Sequence, residues 1–170
     1  MISTKLMNTI INQYQQSLKG AHGLSHWARV YENGQKLAKL TGANRKVVEL
    51  FAFFHDSKRM SEQNDSEHGL RGAKYAACLK DSLFNLSEHN FNLLYNACAN
   101  HTKGLTEADI TIQVCWDSDR LDLGRAGITP GAEKLCTMAA KNPDIIKWAD
   151  NRSRNPVVPD FIAATFRSIP

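Results

Sequence analysis

The chain has 170 residues, 42% of them hydrophobic and 22% charged, with a formal net charge of +4. That length fits one domain, and the balance excludes a disordered or fibrous chain. Cations are scattered, with Arg45-Lys46 and Lys58-Arg59 the only adjacent pairs. This is no nucleic-acid stripe, and no apolar stretch approaches the ~18–20 residues that span a bilayer.

Leu6, Ile10, Ile11, Tyr14 and Leu18 recur at helical spacing and predict an amphipathic helix over 3–18, stopped by Gly20. The segment from Met1 to Asn8 lacks the apolar core of a signal peptide. Cys78, Cys98, Cys115 and Cys136 form no C-x-x-C and read as reduced thiols. A cytoplasmic protein is the expectation. Ser25 is a candidate N-cap for a second helix, with Trp27, Val30, Tyr31, Gly34, Leu37 and Ala38 on one face and Thr41-Gly42 as its stop.

A helix over 44–55 follows. Val47, Leu50, Phe51 and Phe54 are helically spaced, and Val48, Ala52 and Phe53 fill the other faces, so it is buried nearly all round. Its end delivers His55 and Asp56 from an apolar wall into a polar site. A divalent metal ion is the natural partner for such a pair, since neutral imidazole and carboxylate are good ligands for Zn, Mn and Fe. Taken alone, the dipeptide reads more simply as a hydrogen-bonded histidine at a helix end.

Residues 57–66 are polar and predict a loop. Ser66-Glu67-His68-Gly69 opens a helix whose small residues permit close backbone approach around His68. Ser87 predicts the N-cap of a helix through Cys98 that ends at His101. Thr106-Glu107-Ala108-Asp109 resembles a capping box. Beyond it, Ile110, Ile112, Val114 and Trp116 alternate as in a strand, but no strand partner exists elsewhere, so a helix is expected. Residues 131–150 predict one helix or two short ones. The C-terminal tail, 151–170, is expected to be extended or a short packed helix.

Six residues stand out: His26, His55, Asp56, His68, His101 and Asp119. Each falls near a predicted helix end among apolar neighbours, and each alone is more simply structural. Together they suggest a metal site built in a helical bundle. His22 reads as a loop histidine and His89 as exposed first-turn surface.

The order His, His-Asp, His, His, Asp resembles the HD-domain superfamily of metal-dependent phosphohydrolases, and its small single-domain bacterial branch most of all. The likeness rests on "HGLSHWARV" (22–30), "FAFFHDSKR" (51–59), "HGLRGA" (68–73), "HTKG" (101–104) and "CWDSDRLDLGR" (115–125). It implies an all-α HD-type helical bundle, one domain over 1–170 with its core at about 20–140. It places metal ligation on His26, His55, Asp56 and Asp119. His68 and His101 sit where two-metal branches add ligands, with Asp56 bridging. The alternative is one ion, with those two histidines acting on phosphate. Ser118-Asp119-Arg120-Leu121 matches the superfamily's late segment, with Ser in place of the usual Ala, which favours Asp119 over Asp117 or Asp122.

The resemblance thus implies hydrolysis of a phosphoester, a nucleotide or related small phosphorylated metabolite, by a metal-activated water, with Asp56 and Arg59 in catalytic roles. The cofactor is one or two divalent transition metal ions (Mn, Fe, Co, Ni or Zn). Arg59 leads as a phosphate ligand because its distance from the His-Asp pair is set by sequence. Arg29, Lys58, Arg71, Lys103 and Arg120 are weaker candidates, each equally readable as a solvated or paired charge. The alternatives are an HD-type diiron oxygenase and a non-catalytic module that binds a nucleotide or partner. The oligomeric state is not readable.

Overall fold

In the computed structural model, which describes residues 2–155 and 157–163, the chain is helical. The helices are α1 (Thr4–Asn12), α2 (Leu24–Thr41), α3 (Arg45–Phe54), α4 (His68–Leu79), α5 (Glu88–Asn100), α6 (Ile110–Arg120) and α7 (Pro143–Arg154). Short 3-10 turns lie at Leu123–Ala126 and Ala132–Lys134. No strand is present among the described residues, so the alternating run from Ile110 is helical. No helix among them is long and apolar enough to cross a membrane.

The apolar sequence of α3 explains the layout. Val47 to Phe54 are all buried, so the helix needs neighbours on every side. It packs against α1, α2, α4, α5 and α6. Burying each of Phe51, Phe53 and Phe54 contributes about 1.5–3 kcal/mol. Asn44 caps its start by accepting from the backbone N–H of Lys46 and Val47. Ser87 caps α5 as expected, accepting from Asn90. Each such cap contributes about 1 kcal/mol.

Three local expectations are corrected. The first helix stops at Asn12, and Tyr14 and Leu18 lie in the turns beyond it. Those turns are held by tertiary contacts: the Tyr14 hydroxyl donates to the His22 carbonyl and its ring meets Trp27 edge-on at 4.9 Å. The N-cap of α2 is Gly23, with no side-chain cap bond. A Cβ there would lie 2.2 Å from the Leu18 carbonyl oxygen, so close chain passage overrides capping preference. The cap of α6 is Asp109, which accepts from Thr111, and not Thr106.

The 131–150 stretch forms one 3-10 turn and α7, which runs on to Arg154 and takes in the start of the expected tail. Further along, the Phe161 ring packs on Tyr31 at 5.0 Å and Ile162 is buried. Pro156 and residues 164–170 of the tail lie outside the described residues.

Two glycines set how α4 is seated. A Cβ on Gly72 would lie 2.3 Å from the Phe54 carbonyl oxygen. A Cβ on Gly69 would lie 2.4 Å from the Cys98 carbonyl oxygen and 2.8 Å from His101 Nδ1. A side chain at either position would force the helices apart, so α4 approaches α3 and α5 this closely only because both positions lack one. The close seating brings His68 to the ends of the other two helices.

Candidate metal centre

Five helices deliver one polar group or pair each to a common point. His26 lies in the first turn of α2, His55 caps the C-terminus of α3 with Asp56 next, and His68 opens α4. His101 caps α5, and Asp119 lies in the last turn of α6. The four histidines and Asp56 are buried. Asp119 retains 18% side-chain exposure, so the site opens on its side.

The six form two clusters that share Asp56. In the first, His26 Nε2 and His55 Nε2 are 3.1 Å apart. Asp56 Oδ2 lies 3.5 Å from His26 Nε2 and 3.7 Å from His55 Nε2. Asp119 Oδ1 lies 3.5 and 3.9 Å from the same two nitrogens. In the second, His68 Nε2 and His101 Nε2 are 2.9 Å apart, and Asp56 Oδ1 lies 2.9 and 3.8 Å from them. One carboxylate oxygen of Asp56 therefore faces each cluster.

The donor set fits divalent cations. Bonds of ~2.1 Å at octahedral or tetrahedral angles separate ligand atoms by about 3.0–3.4 Å, close to what is seen here. Every histidine has an acceptor at Nδ1. His26 faces Asp122 Oδ2 at 2.7 Å, and His55 faces the Phe51 and Ala52 carbonyls at 3.2 Å. His101 faces the Cys98 carbonyl at 2.7 Å, and His68 the Asp65 carbonyl. With Nδ1–H donating outward, Nε2 turns its lone pair inward. Burial pushes His55 down to about 3, so its ring is neutral. Its lone pair then confronts His26 Nε2 at 3.1 Å, an arrangement that a hydrogen bond between two acceptors cannot satisfy and a cation can.

The carboxylates are ionised. Burial pushes Asp56 up, but the surrounding His55, His101, His26 and His68 rings hold it well below the usual carboxylate range. Asp119, opposed by burial but flanked by His55 and Arg125, is brought down to about 2. Burial lowers His101, yet its bond to Asp56 and the Asp119 charge leave it raised overall.

The expected cations divide. Arg59 is at the site: Nη1 lies 3.5 Å from Asp56 Oδ1 and 3.2 Å from His68 Nε2, while Nε and Nη2 donate to the Ser61 and Gln63 carbonyls. Arg29 is buried in a fork on Asp122, with Nε to Oδ1 at 2.6 Å and Nη2 to Oδ2 at 3.0 Å. Lys58 reaches outward to Gln13 and lies over the Tyr75 ring. Arg71 pairs with Asp65, and Lys103 is exposed in the loop after His101. Arg120 donates to the Lys134 and Leu105 carbonyls, and Asp117 accepts from Cys136 and Thr137, so both pin the loop before α7.

Three neighbours of the clusters take roles that sequence reasoning missed. Asp122 holds both His26 and Arg29 across more than ninety residues. Arg125 Nη2 lies 3.8 Å from Asp119 Oδ1. Asp122 follows Asp119 by three positions, the spacing at which helical side chains share a face, which was the one signal available. His22, read as a loop histidine, bonds Glu62 through Nδ1 at 2.6 Å, and its ring lies 6.1 Å from that of His26.

Gly69→Ala is expected to fold but to push α4 from α5. The separation of His68 from His101 grows, and metal capacity at that pair falls while the His26–His55 cluster is kept. Metal titration of the variant checks this, and full capacity at both clusters would count against the close-approach argument.

No protein-family model matches the chain, and no curated protein matches it in sequence. Among solved structures, it is similar to a predicted HD superfamily hydrolase from an uncultured Thermotogales bacterium. The identity is 20%, the TM-score is 0.67, and the match covers 96% of this chain and 90% of the other. The chain has the all-α HD-type fold.

Proposed function

We propose that this HD-type chain is a metal-dependent phosphohydrolase acting on a nucleotide or related small phosphorylated metabolite. The observation that carries the reading is Asp56, whose two carboxylate oxygens each face a separate group of histidine Nε2 atoms. In this reading His26, His55, Asp56 and Asp119 would hold one divalent ion, and Asp56, His68 and His101 would hold a second. When bound, such ions polarise a phosphoryl oxygen and lower the pKa of a coordinated water to near neutrality. The order of affinities among Mn, Fe, Co, Ni and Zn is general to N/O sites, so supply decides the occupant.

The chain's own residues supply the rest. Arg59 offers Nη1 to a phosphoryl oxygen beside Asp56 and His68, with its plane fixed by the Ser61 and Gln63 carbonyls. Asp122 keeps the His26 Nε2 lone pair directed inward, and Arg29 holds Asp122 in place. His22, tied to Glu62, is the imidazole beside the clusters that can carry a proton.

The test is a panel of phosphomonoesters, nucleotides and cyclic dinucleotides given to protein loaded with each metal under anaerobic conditions. Release of phosphate or a mononucleotide without oxygen, abolished by a chelator, is the expected result. Oxygen uptake with an iron-loaded protein would replace the reading with an HD-type diiron oxygenase. Tight retention of unchanged ligand would replace it with a binding module.

A further inference from the structure

A cleft of about 260 Å³ lies between the turn at 19–21, the start of α2, the 3-10 turn at Leu123–Ala126 and the end of α7, and Arg125 in its wall lies 3.8 Å from Asp119. Four cations line it, Lys19, Arg29, Arg125 and Arg154, together with Ser25 and Ser153, and no acidic residue does. We propose that this cleft is a second anion subsite that takes a further phosphate of the substrate, one not undergoing hydrolysis. The proposal rests on the phosphoester reading of the clusters and narrows it to substrates with at least two phosphates.

The charges are not all spent within the protein. Arg29 is neutralised by Asp122 and Arg154 by Asp150, and Arg125 is shared between Asp119 and Asp122 at 3.8 and 3.7 Å. Lys19 is exposed and its ammonium engages no acidic partner among the described residues. Arg125 joins the two places. Its Nη1 donates to the Asp122 carbonyl at 2.9 Å, and its Nη2 lies 3.8 Å from Asp119 Oδ1. One guanidinium thus borders both the cleft and the clusters. The 18-residue α2 adds the positive end of its dipole, because its first turn has no side-chain cap and Ser25 lies in the cleft wall. The volume, below the ~300–1,000 Å³ of sites for drug-sized ligands, is ample for a phosphate group, and the residues lining the cleft include no aromatic ring on which a base could stack.

The test uses the full chain freed of metal, titrated calorimetrically at low salt with inorganic pyrophosphate and with inorganic phosphate. Fructose 1,6-bisphosphate serves as a third probe, with its phosphates apart. The wild type is expected to bind one or both bisphosphate probes at least tenfold more tightly than phosphate. Stronger binding of pyrophosphate assigns adjacent phosphates, and stronger binding of the sugar assigns separated ones. Lys19→Glu should reduce the preference at least fivefold. Lys39→Glu, which makes the same charge change at an exposed position in the last turn of α2, should leave it intact. Equal affinity for all three probes overturns the proposal, as does an equal loss in both variants, which would mean diffuse charge alone. The metal-free preference reads the cleft together with Arg59, which receives the other phosphate, and needs no ion at the clusters. A protein that shows the preference but binds no metal would refute the proposed activity and leave the anion subsite standing.

Discussion

Asp56→Asn is expected to abolish turnover, with a fall of at least ~10³-fold, and to strip metal from both clusters. The side chain keeps its shape but loses its charge and one acceptor oxygen. Asp56 contributes Oδ2 to the His26–His55 group and Oδ1 to the His68–His101 group, so a single change disturbs both. Metal-assisted hydrolysis draws several kcal/mol of charge stabilisation from the ion, and each 1.36 kcal/mol is about a tenfold rate, which sets the size of the loss. The same substitution at Asp117, which only pins the loop at Cys136 and Thr137, is the structural control. Steady-state assay with elemental analysis checks the result. An Asp56→Asn protein with normal metal content would show that the carboxylate does not bridge.

Asp122→Ala carries the largest expected effect on stability. Burial pushes the Asp122 carboxyl up, but its bond to His26 and the Arg29 guanidinium hold it below the ordinary range. Removing it leaves the buried Arg29 charge without a counterion and His26 Nδ1 without an acceptor. Deleting one partner of a buried pair costs about 3–5 kcal/mol, a large share of the roughly 5–15 kcal/mol that holds a domain together. Loss of the outer partner of a ligating histidine should also weaken metal binding by about 10–100-fold. The double change Arg29→Met with Asp122→Leu separates the two effects: most of the stability returns and the metal affinity does not. Urea unfolding and metal titration of both proteins check this. Recovery of both properties in the double variant would mean that Asp122 serves packing alone.

What could be read from the sequence was whatever depends on spacing along one helix. The apolar faces of α3 place His55 and Asp56 at a buried helix end, and Ser87 and Gly42 mark real termini. Gly69 and Gly72 announce a close approach, though not to which helix. Long-range pairing was not legible. Arg29 lies three residues from His26 and so looked available to substrate, but its partner Asp122 is far along the chain. Arg71 and Lys58 were likewise taken up by Asp65, Gln13 and Tyr75. Tyr14 and Leu18 kept helical spacing yet lie in turns, since contacts with His22, Trp27 and Leu24 outweigh a short run of periodicity. Arg125 stood inside a recognised segment without any signal of its own, because its closeness to Asp119 arises from the 3-10 turn at Leu123–Ala126.

The most direct measurement is the number of divalent ions per chain in purified, manganese-loaded wild type and in the His68→Ala, His101→Ala double variant. The account predicts two ions in the first and one in the second, with the remaining ion lost when His55 is also replaced. A wild type that binds no ion, or a double variant whose stoichiometry is unchanged, would contradict it.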